Sequence, residues 1–211
     1  MTNPTVLSML ESWEPSAPRL TWYGDGDERV ELSGKVLRNW VIKAANLLSM
    51  EADVQPDSVV LLDLPAHWRQ LVWALAAWTL GAQVQLSDDA PPMGTADVIV
   101  SSAPQHRSAE IVIAVPLPAL ARSWEGELPA GALDGAAELM GQPDEPLFGP
   151  EPGPAVVDGP PRRVLLAAPD RRSLPDRAWQ VWASGGSLVL ATARSDAEIA
   201  QIATQEHATP A

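Results

Sequence analysis

The stretch VLLDLPAHWRQLVWALAAWTLGAQVQL (residues 60–86) decides how this chain is read, because it returns as VLLAAPDRRSLPDRAWQVWASGGSLVL (residues 164–190) at a constant offset of 104 and without a gap. Eight positions are identical: Val60/Val164, Leu61/Leu165, Leu62/Leu166, Pro65/Pro169, Ala74/Ala178, Trp78/Trp182, Gly81/Gly185 and Leu86/Leu190. Composition alone gives chance matches of Ala, Leu and Val in a chain that is 46% hydrophobic, but not Pro, Trp and Gly in register. Each copy reads as a buried strand, a proline turn, a helix, a glycine stop and a second strand. That order is the grammar of a βαβ unit, since parallel strands need a crossover helix between them. The sequence predicts an α/β protein made of two repeated lobes of mostly parallel sheet flanked by helices. The first lobe spans 1–124, an acidic Pro/Gly-rich linker 125–161, and a smaller second lobe 162–211.

Outward from the repeat, residues 19–23 and 29–32 flank Gly24-Asp25-Gly26-Asp27 and predict a hairpin. Ser33 is placed to cap a helix running to Ser49, with Val36, Trp40, Val41, Ala44 and Leu48 at helical spacing. Residues 97–101 and 110–115 are short β-branched runs suited to further strands of the first lobe. Between Arg122 and Arg162 lie eight prolines, seven glycines, eight acidic residues and no cation. Such a segment buries little apolar surface against its ordering entropy, so it reads as a linker with at most a short helix near 132–140. The second lobe then takes strands at 163–167 and 187–191 around a helix at 174–183. Ser195 and Glu198 form a capping box for a last helix with Ile199 and Ile202 turned inward.

The helix of the first repeat, 66–80, is apolar nearly all round: Trp68, Leu71, Val72, Trp73, Leu75 and Trp78 do not fit on one face. A tryptophan buries about 150–250 Å², so this helix must be covered on two sides. Either it is sandwiched within the chain, or Trp68, Trp73 and Trp78 carry a homodimer interface. It is too short for a bilayer, which needs about 20 residues.

A net charge of −13 with only two lysines, Lys35 and Lys43, argues against nucleic-acid or anionic-membrane binding, which depends on cations neutralising phosphate. Arginines cluster locally at Arg162, Arg163, Arg171 and Arg172. With no cysteine there is no disulfide, thiolate or Cys-based zinc site. His67, His106 and His207 lack metal-ligand spacing, so neither metal nor cofactor is expected. The N-terminus lacks the positive and apolar regions of a secretory signal, which makes the cytoplasm the expected compartment. Ser184-Gly185-Gly186-Ser187 lies between a helix and a strand, the reverse of a phosphate loop, and reads as a turn.

Ligands of open α/β sheets gather beyond the carboxyl ends of parallel strands. There the repeats place Ala66, His67 and Trp68 after Pro65, and Asp170, Arg171 and Arg172 after Pro169. Two readings stand open. Arg171 and Arg172, with Asp170, form an anion-binding corner near His67 and Trp68, or they are solvated charges beside a packed tryptophan.

The order of these elements resembles the N-terminal region of the adenylate-forming enzymes, the AMP-binding, acyl-CoA synthetase-like superfamily. The resemblance rests on Arg19-Leu20-Thr21-Trp22-Tyr23, Val59-Val60-Leu61-Leu62-Asp63-Leu64-Pro65 and Leu75-Ala76-Ala77-Trp78-Thr79-Leu80-Gly81-Ala82. It extends to Val164-Leu165-Leu166-Ala167-Ala168-Pro169 and Ala183-Ser184-Gly185-Gly186-Ser187-Leu188-Val189-Leu190. Over its whole length the chain is similar to a small family of actinobacterial proteins. The resemblance implies a phosphate loop ending in Pro-Lys between the lobes, where this chain has its acidic segment and no lysine beyond Lys43. It also implies a Tyr-Gly-x-Thr-Glu motif, a ribose-binding aspartate and a catalytic lysine, none of which has a counterpart here. Where relatives set an aromatic-histidine pair against the acyl group, this sequence has Asp170-Arg171-Arg172. The reading that follows is a non-catalytic module that binds a ligand or a protein, with a nucleotide or acyl thioester as the small-molecule ligand. Its alternatives are an accessory subunit of an acyl-adenylate or acyl-CoA forming enzyme, which binds a nucleotide or acyl thioester and is completed by a partner, and a structural homodimer.

Overall fold

Both copies of the repeat fold as strand, helix and strand. The structure, a computed structural model, describes residues 4–26, 28–87, 96–107, 109–157 and 159–211. In chain order the elements are α1 (Val6–Glu11), β1 (Pro18–Tyr23), β2 (Arg29–Ser33), α2 (Gly34–Met50), β3 (Val59–Asp63), α3 (Trp68–Thr79), β4 (Gln83–Leu86), β5 (Val98–Ser101), β6 (Ile111–Ala114) and β7 (Leu133–Asp134). Then come α4 (Ala137–Gly141), β8 (Arg163–Ala167), α5 (Leu174–Ala183), β9 (Ser187–Ala191), α6 (Asp196–Gln205) and β10 (Thr209–Pro210). The repeat is thus β3-α3-β4 and β8-α5-β9. Gly81 and Gly185 end the two helices at φ values of 73° and 79°, a conformation that costs a side-chain-bearing residue and suits glycine.

The strands form two five-stranded sheets, ordered β4-β3-β5-β6-β7 and β10-β8-β9-β1-β2. Every pairing is parallel except the β1–β2 hairpin. Sheet membership cuts across the expected first lobe of 1–124. β1 lies parallel to β9, with Leu20 opposite Leu188 and Tyr23 opposite Ala191, so the N-terminal hairpin completes the sheet of the C-terminal segment. The physical reason is edge closure: β9 would otherwise expose unpaired backbone groups along its length.

One apolar core joins the inner residues of both sheets through α1, α2, α3 and α5. Trp68 and Trp73 are 1% and 2% exposed, so the rings of α3 are spent inside the chain. The sandwich accounts for Trp68 and Trp73, whereas Trp78, near the end of the helix, is half-buried. Trp78 stacks edge-on to Trp179 at 6.2 Å and Trp13 meets Trp182 at 6.0 Å, which couples α3 to α5 and α5 to the N-terminal segment. On α2, Ser33 caps the helix by accepting from Val36 N, but the buried face runs through Leu37, Val41, Ala45 and Leu48, and Val36 is largely exposed. Val41, Ala44 and Leu48 of the expected stripe are buried, and Leu37, Ala45 and Leu47 widen it.

The other face of the β8–β9–β1 sheet is covered by α6, where Ile202 packs on Leu165, Val189 and Ala191. The Ser195–Glu198 capping box forms as read. Just after α6, Glu206 accepts from Tyr23 Oη (2.5 Å), Arg29 Nη2 (2.9 Å) and Arg163 Nη2 (2.5 Å) and so locks three strands to the helix end. Burial pushes its carboxyl up, but the hydrogen bonds from Tyr23, Arg29 and Arg163 outweigh that and hold it down to about 2.

The acidic segment 125–161, expected as a linker, is built into the fold. Leu133 and Asp134 add an edge strand beside β6, and α4 buries Leu139. Beyond it the chain runs as a strap over the helices. The wholly buried Asn46 donates to Pro143 O (3.1 Å) and Glu145 O (3.0 Å) and accepts from Leu147 N (2.9 Å). Gly153 crosses α5 so closely that a Cβ would sit 2.7 Å from the Trp179 ring. The strap needs no core of its own, because prolines reduce its ordering cost and helix side chains satisfy its backbone.

Candidate functional site

In the β4-β3-β5-β6-β7 sheet, successive strands are laid to opposite sides of β3, so the crevice where ligands usually bind lies beyond the ends of β3 and β5. Side chains of this chain close it. Asp63 takes both nitrogens of Arg107, Nε at 2.6 Å and Nη2 at 2.5 Å, together with Ser101 Oγ at 2.6 Å and Ser87 Oγ at 2.8 Å. Burial would raise the Asp63 carboxyl, but hydrogen bonds from Arg107, Ser101 and Ser87 hold it below the usual range. Four hydrogen bonds saturate the carboxylate, so this cluster ties the loop at Arg107 to the sheet.

The second corner lies where the two repeats meet. β3 delivers Pro65 and then His67, which caps α3 by accepting from Arg69 N at its Nδ1 (3.1 Å). His67 is 5% exposed and packs edge-on to Trp22 at 4.8 Å. Burial, assisted by the neighbouring Arg69 cation, lowers it to about 3, so the ring is neutral near pH 7. Trp68 stands edge-on to Trp40 at 5.2 Å. β8 delivers Pro169 and then Asp170, whose backbone oxygen accepts from Ser173 N and Leu174 N and starts α5. Asp170 is exposed, Arg171 half-buried and Arg172 exposed. The two corners are joined by Gln70, whose Nε2 donates to Arg171 O at 3.1 Å.

The structure therefore brings Arg171 against the first turn of α3 and places His67 and Trp68 behind it, inside the core. The wall and the charges come from different repeats. Asp170 Oδ1 accepts from Arg172 N at 3.3 Å, which fixes the turn that presents both arginines.

Sequence reasoning missed Arg69, the single charge within α3. It is 3% exposed, its guanidinium lies 4.5 Å from the Trp68 ring centre and 5.1 Å from that of Trp40, and its Nη2 donates to Pro118 O and Ala119 O. Burial lowers it to about 10, opposed by Glu28. A lone arginine in an otherwise apolar helix is the signal that was there to be read. Gln70 gave no such signal, nor did the Asp63–Arg107 pair, whose partners are far apart in sequence.

Among the described residues, no group of three His, Asp or Glu is placed to hold a metal ion. No helix among them is long and apolar enough to cross a membrane.

No family model matches the chain. A "TIGR03089 family protein" of Mycobacterium tuberculosis (strain ATCC 25618 / H37Rv) is 33% identical to it over 233 aligned positions, covering 99% of this chain and 94% of the relative. Among solved structures, an acyl-CoA synthetase of Brucella canis superposes with a TM-score of 0.72 at 16% identity, over 98% of this chain and 46% of that one. The acetoacetyl-CoA synthetase of Streptomyces lividans gives 0.72 at 16% identity, over 98% of this chain and 42% of its own. The N-terminal subdomain of NpsA from Klebsiella oxytoca gives 0.66 at 11% identity, over 99% and 61%. The chain thus spans less than half the length of the two synthetases, and at these identities the likeness establishes the fold alone.

Proposed function

The chain belongs to the TIGR03089 family, and from that membership and its fold, that of the N-terminal subdomains of adenylate-forming enzymes, we propose a non-catalytic domain that binds a small anionic ligand. The ligand is a nucleotide or acyl thioester, held at the corner of Asp170, Arg171 and Arg172 against the wall of α3.

One observation carries the non-catalytic half of this reading. A phosphate loop works by pointing successive backbone N–H groups at an anion. In the segment that takes its place, those groups are turned toward the chain's own helices and N-terminal segment. Leu147 N donates to Asn46 Oδ1, Glu151 N to Thr79 O (3.1 Å), Gly153 N to Pro4 O (3.1 Å) and Val157 N to Gln180 Oε1 (2.8 Å). Lys43, the last lysine of the chain, is held by Gln142 O and by Asp144 at 3.2 Å. Each preorganised donor missing from a catalytic site costs about 3–4 kcal/mol of transition-state stabilisation, and here a whole cradle is committed elsewhere.

Two measurements test the reading. ATP–pyrophosphate exchange with pooled carboxylic acids is expected to show no turnover by the purified chain, and turnover would overturn the non-catalytic half. Titration with ATP and with acyl-CoA, followed by tryptophan fluorescence, is expected to saturate in the wild type and to fail in Arg172→Ala. A flat response in the wild type would overturn the ligand-binding half.

A further inference from the structure

A cleft of about 280 Å³ opens beyond the carboxyl ends of β5 and β6, walled by Ser102, Pro116, Pro118, Ala121, Trp124 and Glu125. Its lining shares no residue with the arginine corner, and nothing in the ligand reading above depends on it.

Apolar clefts in small domains collapse unless something holds them open. Here the loop that forms the outer wall is pinned from several directions. Val115 N donates to Ser101 O (2.8 Å), Ala119 N to Glu28 Oε1 (3.1 Å) and Trp124 N to Asp134 Oδ2 (2.7 Å). The buried Arg69 grips Pro118 O (3.1 Å) and Ala119 O (3.3 Å) from below. Pro116 and Pro118 fix their own φ angles. The loop is thus stapled to β5, β7, the hairpin and α3 at a set distance, which makes the cleft a built cavity. This also gives Arg69 a purpose: its guanidinium is spent on carbonyls of the loop rather than on a carboxylate.

The lining sets the ligand. The volume lies just below the range for small-molecule pockets, roughly 300–1,000 Å³, which suits a single ring with one substituent. Proline faces and the Trp124 indole offer flat apolar walls. Ser102, in the lining, has an Oγ that makes no hydrogen bond among the described residues and offers a polar handle. Among the described residues no cation lines the space, Glu125 lies at it, and the chain carries −13, so an anionic head group is disfavoured. We propose that this cleft binds a small uncharged aromatic molecule bearing one hydroxyl or amide, with its ring against Trp124 and its polar group at Ser102.

The test uses the full chain and titrates benzyl alcohol, benzamide, toluene and benzoate by saturation-transfer NMR. Benzyl alcohol and benzamide are expected to saturate, with benzoate at least about tenfold weaker. Trp124→Ala is expected to weaken benzyl alcohol about tenfold, and Ser102→Ala to weaken benzyl alcohol but not toluene. Ala121→Trp fills the cleft while removing no contact, and is expected to abolish binding without lowering the melting temperature; Arg172→Ala is expected to leave it unchanged. Failure of the uncharged ligands to saturate, a preference for benzoate, or full binding by Ala121→Trp would each overturn the assignment.

Discussion

The two copies of the repeat keep the same frame and spend it in opposite ways. Pro65 and Pro169 turn the chain, Trp78 and Trp182 seat the helices, and Gly81 and Gly185 stop them. Between those fixed points the residues at matching positions diverge: His67 faces Arg171 across the offset, Trp68 faces Arg172, Arg69 faces Ser173 and Trp73 faces Arg177. The first helix is a middle layer, buried along its length except at the half-buried Trp78. The second shows Asp176 to solvent and leaves Arg177 half-buried. A duplicated βαβ unit can therefore hold its backbone while one copy supplies a core and the other supplies a charged surface.

The comparison is broken most directly at Trp73 and Arg177. Trp73→Ala is expected to cost about 3–5 kcal/mol, and Arg177→Ala to stay within about 0.5 kcal/mol, both read from denaturant melts. Trp73→Asp is expected to leave no folded species on size-exclusion chromatography, where a smaller folded particle would mean that the ring served an interface. Similar losses at the two positions would erase the distinction between core copy and surface copy.

The next contrast is Arg69 against Ser173. Arg69→Ala strips the donor from two loop carbonyls and removes the cation between two indoles, for an expected loss of about 2–4 kcal/mol. Ser173 Oγ donates one long bond of 3.3 Å to Asp170 O, so Ser173→Ala is expected to cost under about 1 kcal/mol.

The last contrast is a slope. His67 takes a proton near 6.5 when unfolded and only near about 3 when folded, so the unfolded chain binds more protons between those values. The stability it contributes is complete above pH 6.5 and falls as pH drops toward 3, by about 1.4 kcal/mol per unit. Glu206, held down to about 2, loses its contribution only below the ordinary carboxylate range, so melts between pH 7 and 5 isolate the histidine. His67→Asn keeps an acceptor for Arg69 N and is expected to flatten that slope, whereas Arg171→Asn leaves it in place.

The elements of the repeat were legible because each is a local pattern: an apolar run, a proline, a helical period and a glycine. The capping box at Ser195 and Glu198 was legible for the same reason. The pairing of β1 with β9 was not, because nothing near Leu20 marks Leu188 as its neighbour; the register follows from completing a sheet. The strap escaped because its order is lent by Asn46, Thr79 and Gln180, side chains and backbone of other elements. At the arginine corner the sequence identified the residues after each proline. It did not separate those that face inward from those that face out, since that depends on which helix lies in the middle layer.

The parallel pairing of Leu20 with Leu188 also sets a timetable. During synthesis the β4-β3-β5-β6-β7 sheet is complete once Asp134 has left the ribosome. The hairpin, made first, meets α2 and His67 early, but the edge of β1 that pairs with β9 has no partner strand until Ala191 follows. At roughly 5–20 residues per second this is a wait of about ten to thirty seconds, during which the backbone groups along that edge have to be satisfied by water or by another partner.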